Sequence, residues 1–162
     1  MTPELLLNAA IVPALLLLPA RMDTPAARTI LLAIAYQESN MQHRRQIKGP
    51  ARGYFQFEQG GGVRGVLMHP ASSSYIRDVL SDLDYYADST PAECWAAIEH
   101  NDILAAVFAR LLLWTDAAPL PTDAQGAWGL YLRTWRPGRP HPDKWAANFQ
   151  KAKDAIEAFT KP

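Results

Sequence analysis

The sequence predicts a mainly α-helical fold, and three observations support that prediction. Strand-like alternation of apolar and polar residues is nearly absent from the 162 residues. Several segments carry apolar residues at helical spacing behind a residue that can cap a helix. One run, ILAAVFARLLLW after Asn101, is almost wholly apolar, with Arg110 as its only internal charge. Because a helix that is apolar on every side is usually buried, we expect this one at the centre of the fold.

Length and composition predict one domain over residues 1–162. A chain of this length buries about two thirds of the surface that its unfolded form exposes. Hydrophobic residues make up 49% and charged residues 20%, which is ordinary for a globular protein and argues against a disordered chain. No internal repeat or domain linker is visible. We expect a monomer.

The first apolar segment, LLLNAAIVPALLLLP, resembles an export signal or a membrane anchor in hydrophobicity alone. It follows Glu4, contains Asn8 and Pro13, and lacks both a basic leading region and a small-residue cleavage pattern. It is also too short to cross a bilayer as one helix. We interpret it as one or two short buried helices broken near Pro13, without stable membrane insertion. An uncleaved export signal is the alternative.

The next helix, over residues 23–38, ends on a carboxylate. Asp23 or Thr24 can cap it, Pro25 suits its first turn, and the nearly uncharged run ILLAIAYQ leads to Glu38. After this helix the helical period is lost and glycines accumulate. We expect irregular backbone there, with a short hairpin around residues 50–58.

Glycines 60–62 are not followed by the GK[ST] of a phosphate-binding loop, so we interpret them as a tight turn or a backbone that approaches a ligand. Six further helices are predicted downstream. They cover residues 64–68, 72–86, 91–99, the run after Asn101, a segment from Thr122 or Asp123 to Trp135, and residues 142–159.

Glu38 is the candidate catalytic residue. A carboxylic acid beside apolar surface holds its proton to higher pH, because burial disfavours the charged form, and a general acid needs that property. The simpler alternative is that Glu38 ends its helix and points into solvent.

Aromatic and polar side chains near this acid suit a sugar polymer, which binds by stacking on rings and by hydrogen bonds. The candidates for stacking are Tyr54, Phe55, Trp128, Tyr131 and Trp135, and those for hydrogen bonds are Ser39, Gln56 and Arg133. Core packing is the alternative for the late aromatics. We favour it for Trp128 and leave it open for Tyr131 and Trp135.

An ES pair, Glu38 and Ser39, is followed by Ala51, Gly53 and Gln56 at offsets of 13, 15 and 18 from Glu38. The pair and the offsets resemble the motif of the soluble lytic transglycosylases. The chain therefore resembles the lysozyme-like superfamily, and within it these transglycosylases and the goose-type lysozymes. The chain departs from the motif at Gln42, His43, Ile47 and Gln59.

The resemblance covers about residues 20–140. The helix after Asn101 is similar to a later family helix. The segment YLRTWRPG is similar to a late aromatic segment, in which either Tyr131 or Trp135 takes the place of the family tyrosine.

This resemblance implies helices packed around a peptidoglycan-binding cleft, with a short irregular or hairpin segment beside the active site. Glu38 would act as catalytic acid and base on the β-1,4 bond between N-acetylmuramic acid and N-acetylglucosamine, without metal or cofactor. The intermediate would be captured by the sugar's own hydroxyl, giving an anhydro product, or by water. The substrate-binding candidates are Ser39, Tyr54, Phe55, Gln56, Glu58, Tyr131, Arg133 and Trp135.

The scarcity of a second carboxylate favours the transglycosylase, because an inverting hydrolase needs a separate base to activate water. Glu58 is the one other acid between residues 38 and 58, and it could position water or act as that base. A catalytically inactive module of the same fold, which binds cell wall or forms part of a virion, is the alternative function.

Net charge is zero, which argues against a nucleic-acid partner. Basic residues nevertheless form two groups, which either flank one cleft and attract an anionic polymer or face solvent. The first comprises His43, Arg44, Arg45, Lys48 and Arg52, and the second Arg133, Arg136, Arg139, His141 and Lys144.

The four histidines lack paired spacing, so no zinc motif is predicted. The single Cys94 cannot form an internal disulfide, and we expect it to be buried. The chain also resembles a phage or prophage lytic protein in its small size and lack of a separate wall-binding domain. We therefore expect it to be made in the cytoplasm or carried in a virion, and to act in the periplasm.

Overall fold

A computed structural model describes residues 1–160, and within them the chain is mainly α-helical, as predicted, with no β-strand. The helices are α1 (Pro3–Leu6), α2 (Val12–Leu16), α3 (Pro25–Ser39), α4 (Arg64–Met68), α5 (Ser73–Asp82), α6 (Pro91–Ile98), α7 (Asp102–Trp114), α8 (Ala124–Trp135) and α9 (Pro142–Thr160). Two π-helical turns, Leu7–Ile11 and Gln59–Val63, and a 3₁₀ turn, Ala20–Met22, complete the helical segments.

The N-terminal segment does not break at Pro13, contrary to the sequence-based prediction. Helical backbone continues from α1 to α2 through the first π-helical turn, which lies directly before the proline. Proline has no N–H to donate and its ring crowds the preceding turn, so a wider turn at this point lets the helix continue. No helix within residues 1–160 has both the length and the hydrophobicity needed to cross a membrane.

Helix α7 is the central helix, as its apolar sequence predicted. Every residue from 104 to 113 is buried, and the Asn101 side chain accepts a hydrogen bond from the Leu104 N–H at 3.0 Å to cap the helix. Inside the core, Nε of Arg110 donates to the Met22 carbonyl at 2.8 Å, and the guanidinium lies 5.3 Å from the centroid of the Trp114 ring. Burial lowers the pKa of Arg110 to about 10.

Helix α3 carries Glu38 from the core to the surface. Thr24 caps its start by accepting from the Ala27 N–H at 3.1 Å, while Asp23 forms an ion pair with Arg28 at 2.7 Å. Residues 30–35 are fully buried, and the helix packs along α9. Asn40, with φ of 47°, adopts the left-handed conformation that ends the helix.

The predicted hairpin around residues 50–58 is present as a single pair of bridged residues. Arg52 and Phe57 exchange two backbone hydrogen bonds, of 2.9 and 2.8 Å. Gly53 is required in the turn, because its φ is +73° and a Cβ there would lie 2.9 Å from Cγ2 of Ile98. The hairpin is therefore fixed against α6.

The first basic group does not flank a cleft, since its arginines pair with acids of the α6–α7 region. Arg44 pairs with Asp102 at 2.7 Å, and Arg45 and Arg52 pair with Glu99 at 2.9 and 3.0 Å. These contacts attach the segment after α3 to the start of α7.

Candidate functional site

A cleft of about 860 Å³ opens where α3 ends, and the hairpin and the end of α8 form its sides. Gln37 and Glu38 line it from α3. One wall is formed by residues 56–58 and by glycines 60–62, and the other by Tyr131 and by residues 133–141. The cleft therefore brings together segments that are up to about a hundred residues apart in the sequence.

Glu38 lies in the last turn of α3, partly exposed to the cleft. The Tyr131 hydroxyl donates a hydrogen bond to its Oε1 at 2.6 Å. The pKa of Glu38 is raised to about 7, mainly because burial disfavours the carboxylate. The hydrogen bond from Tyr131 acts in the opposite direction, and the negative charge of Glu58 raises the pKa further. Glu38 is thus protonated in a substantial fraction of molecules at neutral pH.

Tyr131 is held in place by a stack of aromatic rings. Its ring is nearly parallel to that of Trp145, with centroids 5.2 Å apart, and it also packs on Trp128 and Trp135. Burial and the neighbouring Glu38 carboxylate raise the pKa of Tyr131 well above its usual range. Its hydroxyl therefore remains a hydrogen-bond donor at any physiological pH.

Trp135 lines the cleft and braces the hairpin. Its indole N–H donates to the Phe55 carbonyl at 3.0 Å, and its ring packs on Phe57 with centroids 5.7 Å apart. Of the two late aromatics that the sequence left open, Tyr131 is the one that contacts Glu38.

Three of the expected substrate-binding side chains do not line the cleft. Ser39 is buried, and its Oγ donates to the Tyr54 carbonyl at 2.7 Å, which ties the end of α3 to the hairpin. Phe55 is fully buried in the core. The Tyr54 ring is covered by the Arg44 guanidinium, 4.5 Å from its centroid. The hairpin turns these side chains inward, so none of the three lines this cleft.

The remaining candidates, Gln56, Glu58 and Arg133, do line the cleft. The Gln56 amide nitrogen donates to the Gly53 carbonyl at 2.9 Å. Arg133 is exposed and pairs with Asp116 at 2.8 Å. Glu58 is exposed and close enough to influence the charge of Glu38.

The sequence did not indicate Gln37, which anchors one wall of the cleft. Its amide nitrogen donates to the carbonyls of Pro140 and His141 at 2.7 and 3.1 Å, and its Oε1 accepts from Asn148 of α9 at 2.8 Å. In the sequence, only its position beside Glu38 could have indicated a role for Gln37. The contacts themselves join three segments that are distant in the chain.

Glycines 60–62 present backbone to the cleft, and one of them has no room for a side chain. A Cβ on Gly62 would lie 2.6 Å from Cδ1 of Phe57 and 3.2 Å from Cδ2 of Leu112, whereas Gly60 has no atom within 4 Å of such a carbon. This wall is thus packed directly on the core.

Gly62→Ala should destabilise the protein by about 1–3 kcal/mol, because the added methyl displaces the buried Phe57 ring. Gly60→Ala is the matched control, since it adds the same methyl group to the same turn in open space. Urea unfolding of both variants measures the difference. Equal stabilities would show that Phe57 moves aside freely.

No three histidine, cysteine, aspartate or glutamate side chains come together as metal ligands within residues 1–160. Cys94 is buried, and burial raises the pKa of its thiol to about 11. The thiol is therefore protonated at neutral pH.

Comparison of the chain with protein-family models, curated proteins and solved structures found no match.

Proposed function

We propose that this protein cleaves the β-1,4 bond between N-acetylmuramic acid and N-acetylglucosamine in peptidoglycan, as a lytic transglycosylase. The main support is the state of Glu38, a cleft-lining acid with a pKa of about 7 and a tyrosine donor at 2.6 Å. The motif-like spacing from Glu38 to Gln56 adds to it. The substrate would place this activity at the cell wall, in the periplasm.

In the first step, protonated Glu38 acts as the general acid. It transfers its proton to the glycosidic oxygen while the bond from that oxygen to C1 of the muramic acid breaks. The N-acetylglucosamine side leaves with a free hydroxyl, and C1 acquires oxocarbenium character. The carboxylate left on Glu38 keeps the hydrogen bond from Tyr131, which stabilises the new negative charge.

In the second step, the Glu38 carboxylate acts as the base. It removes the proton from a hydroxyl of the same muramic acid, and that oxygen bonds to C1 to form an internal acetal, the anhydro ring. The acid is thereby regenerated, and no water is consumed. One carboxylate serves both steps, so this reaction needs no second acid.

Glu58→Gln tests whether the sugar hydroxyl or water attacks C1 in the second step. A transglycosylase should keep most of its activity in this variant, because Glu58 has no chemical step there. Removing the charge of Glu58 should also lower the pKa of Glu38, and so move the loss of activity at high pH toward lower pH. A pH profile of muropeptide release measures both effects. A loss of about a hundredfold or more would instead assign Glu58 as the base of a hydrolase.

Mass spectrometry of the soluble products tests the proposed reaction. Anhydro-muramyl ends are expected, whereas reducing ends would identify a hydrolase. Binding to peptidoglycan without any soluble product would identify an inactive wall-binding module.

A further inference from the structure

We propose that the wall formed by residues 133–141 is an anion subsite that binds carboxylates on the peptide substituents of the glycan strand. This inference rests on the proposed function and adds to it the part of the substrate that the cleft selects. Once the muramic acid is linked to its peptide, the two sugars carry no charge of their own. The sugars alone therefore do not require a basic wall.

Charge is distributed unevenly across the cleft, although the net charge of the protein is zero. Arg133, Arg136 and Arg139 line the cleft from one stretch of chain, whereas glycines 60–62 present uncharged backbone beside Glu58. Guanidinium groups are always charged and pair with carboxylates through two parallel hydrogen bonds. An anionic substituent is therefore directed to one side of the glycan.

The two arginines furthest along this wall are available to a ligand. Arg133 is paired with Asp116. Arg136 is exposed, and its Nε donates at 3.3 Å to the Arg133 carbonyl. Arg139 is exposed and forms no ion pair among residues 1–160.

The wall is held in place relative to the candidate acid. Gln37, the residue before Glu38, donates to the backbone at Pro140 and His141 and is itself held by Asn148. Arg136 adopts a left-handed conformation, with φ of 48°, where α8 ends and the chain turns back toward α3. The arginines thus lie on a segment whose backbone is bonded to the helix that carries Glu38.

Tryptophan fluorescence can measure this selectivity, because Trp135 lines the cleft. The titrations use the full chain with Glu38→Gln, so that no ligand is consumed. One ligand is a neutral N-acetylglucosamine hexamer, and the other is a peptidoglycan fragment that carries its peptides. Each is measured at about 50 and 200 mM salt, a range over which exposed charge pairs are increasingly screened.

Replacing both available arginines, as Arg136→Gln with Arg139→Gln, should weaken binding of the peptide-bearing fragment on the order of tenfold. Its salt dependence should become flatter, and affinity for the neutral hexamer should stay the same. The matched control is Arg77→Gln with Lys153→Gln, which removes two positive charges from exposed positions outside the cleft. That control should change neither affinity.

Equal weakening for both ligands, or no change for either, would overturn the subsite while leaving the cleavage reaction intact. If the Glu38→Gln protein binds neither ligand and the wild type releases nothing from peptidoglycan, both proposals are overturned. Tight, salt-sensitive binding of a single-stranded oligonucleotide that depends on Arg136 and Arg139 would assign the wall to a nucleic acid instead.

Discussion

Glu38→Gln should reduce release of soluble muropeptides by about two to four orders of magnitude, the usual contribution of general acid–base catalysis. The amide keeps the shape of the side chain and can still accept the hydrogen bond from Tyr131. It cannot donate a proton to the leaving oxygen or remove one from the attacking hydroxyl. Both steps of the proposed reaction therefore fail while the cleft stays intact.

The same substitution should stabilise the protein at high pH. The pKa of Glu38 is raised from its usual 4.5 to about 7, so the folded state holds this proton more tightly than the unfolded state. The stability that this residue contributes is fully present below pH 4.5 and is lost as pH rises through about 7. A pKa shift of that size corresponds to a free energy of unfolding of about 3 kcal/mol.

Thermal unfolding at pH 4 and pH 8 measures this effect. Glu38→Gln should gain several degrees in Tm over wild type at pH 8 and little at pH 4. Glu157→Gln is the matched control, because Glu157 is exposed on α9 and outside the cleft. An equal Tm for both variants at pH 8 would show that Glu38 is an ordinary solvated acid.

Tyr131→Phe should reduce activity by about 10- to 100-fold, because the carboxylate formed in the first step loses its charge-assisted hydrogen bond. The phenyl ring retains the packing on Trp145, so the fold should persist. Since the hydroxyl lowers the pKa of Glu38, its removal should raise that pKa. The activity that remains should therefore extend to higher pH than in wild type.

A pH profile of kcat separates this effect from simple damage. Tyr75→Phe is the matched control, since the Tyr75 hydroxyl also forms a side-chain hydrogen bond, with Arg21, outside the cleft. That control should leave both rate and profile unchanged. A Tyr131→Phe enzyme with wild-type rate and profile would remove Tyr131 from the mechanism.

Local signals in the sequence were sufficient for most of the helices and for the position of the candidate acid. The cap at Asn101 and the apolar run after it predicted α7, and the end of an apolar helix predicted a buried environment for Glu38. These features depend on residues within one or two turns of each other. The break at Pro13 was predicted from the same local rules and was wrong, because one wider turn accommodates the proline.

Features that depend on tertiary packing could not be predicted from the sequence. The hairpin was expected, but the face on which its side chains lie is decided by contacts with Ser39 and with the core. The sequence therefore could not show that Tyr54 and Phe55 do not line the cleft. Tyr131 reaches Glu38 across 93 residues. The contacts of Gln37 with Pro140 and His141 span more than a hundred residues.

The two basic groups illustrate the same distinction. Their sequences look alike, yet the arginines of the first pair with Glu99 and Asp102, while three arginines of the second line the cleft. Composition could not separate them, because the difference depends on where the acidic residues fold. The anion subsite follows from that placement.

Digestion of purified peptidoglycan by wild type and by Glu38→Gln, near pH 6 and with mass spectrometry of the soluble fraction, tests the central claim most directly. We expect muropeptides with anhydro-muramyl ends from wild type and none from the variant. Equal release by the two proteins would exclude Glu38 as the acid, and no release by either would contradict the proposed function.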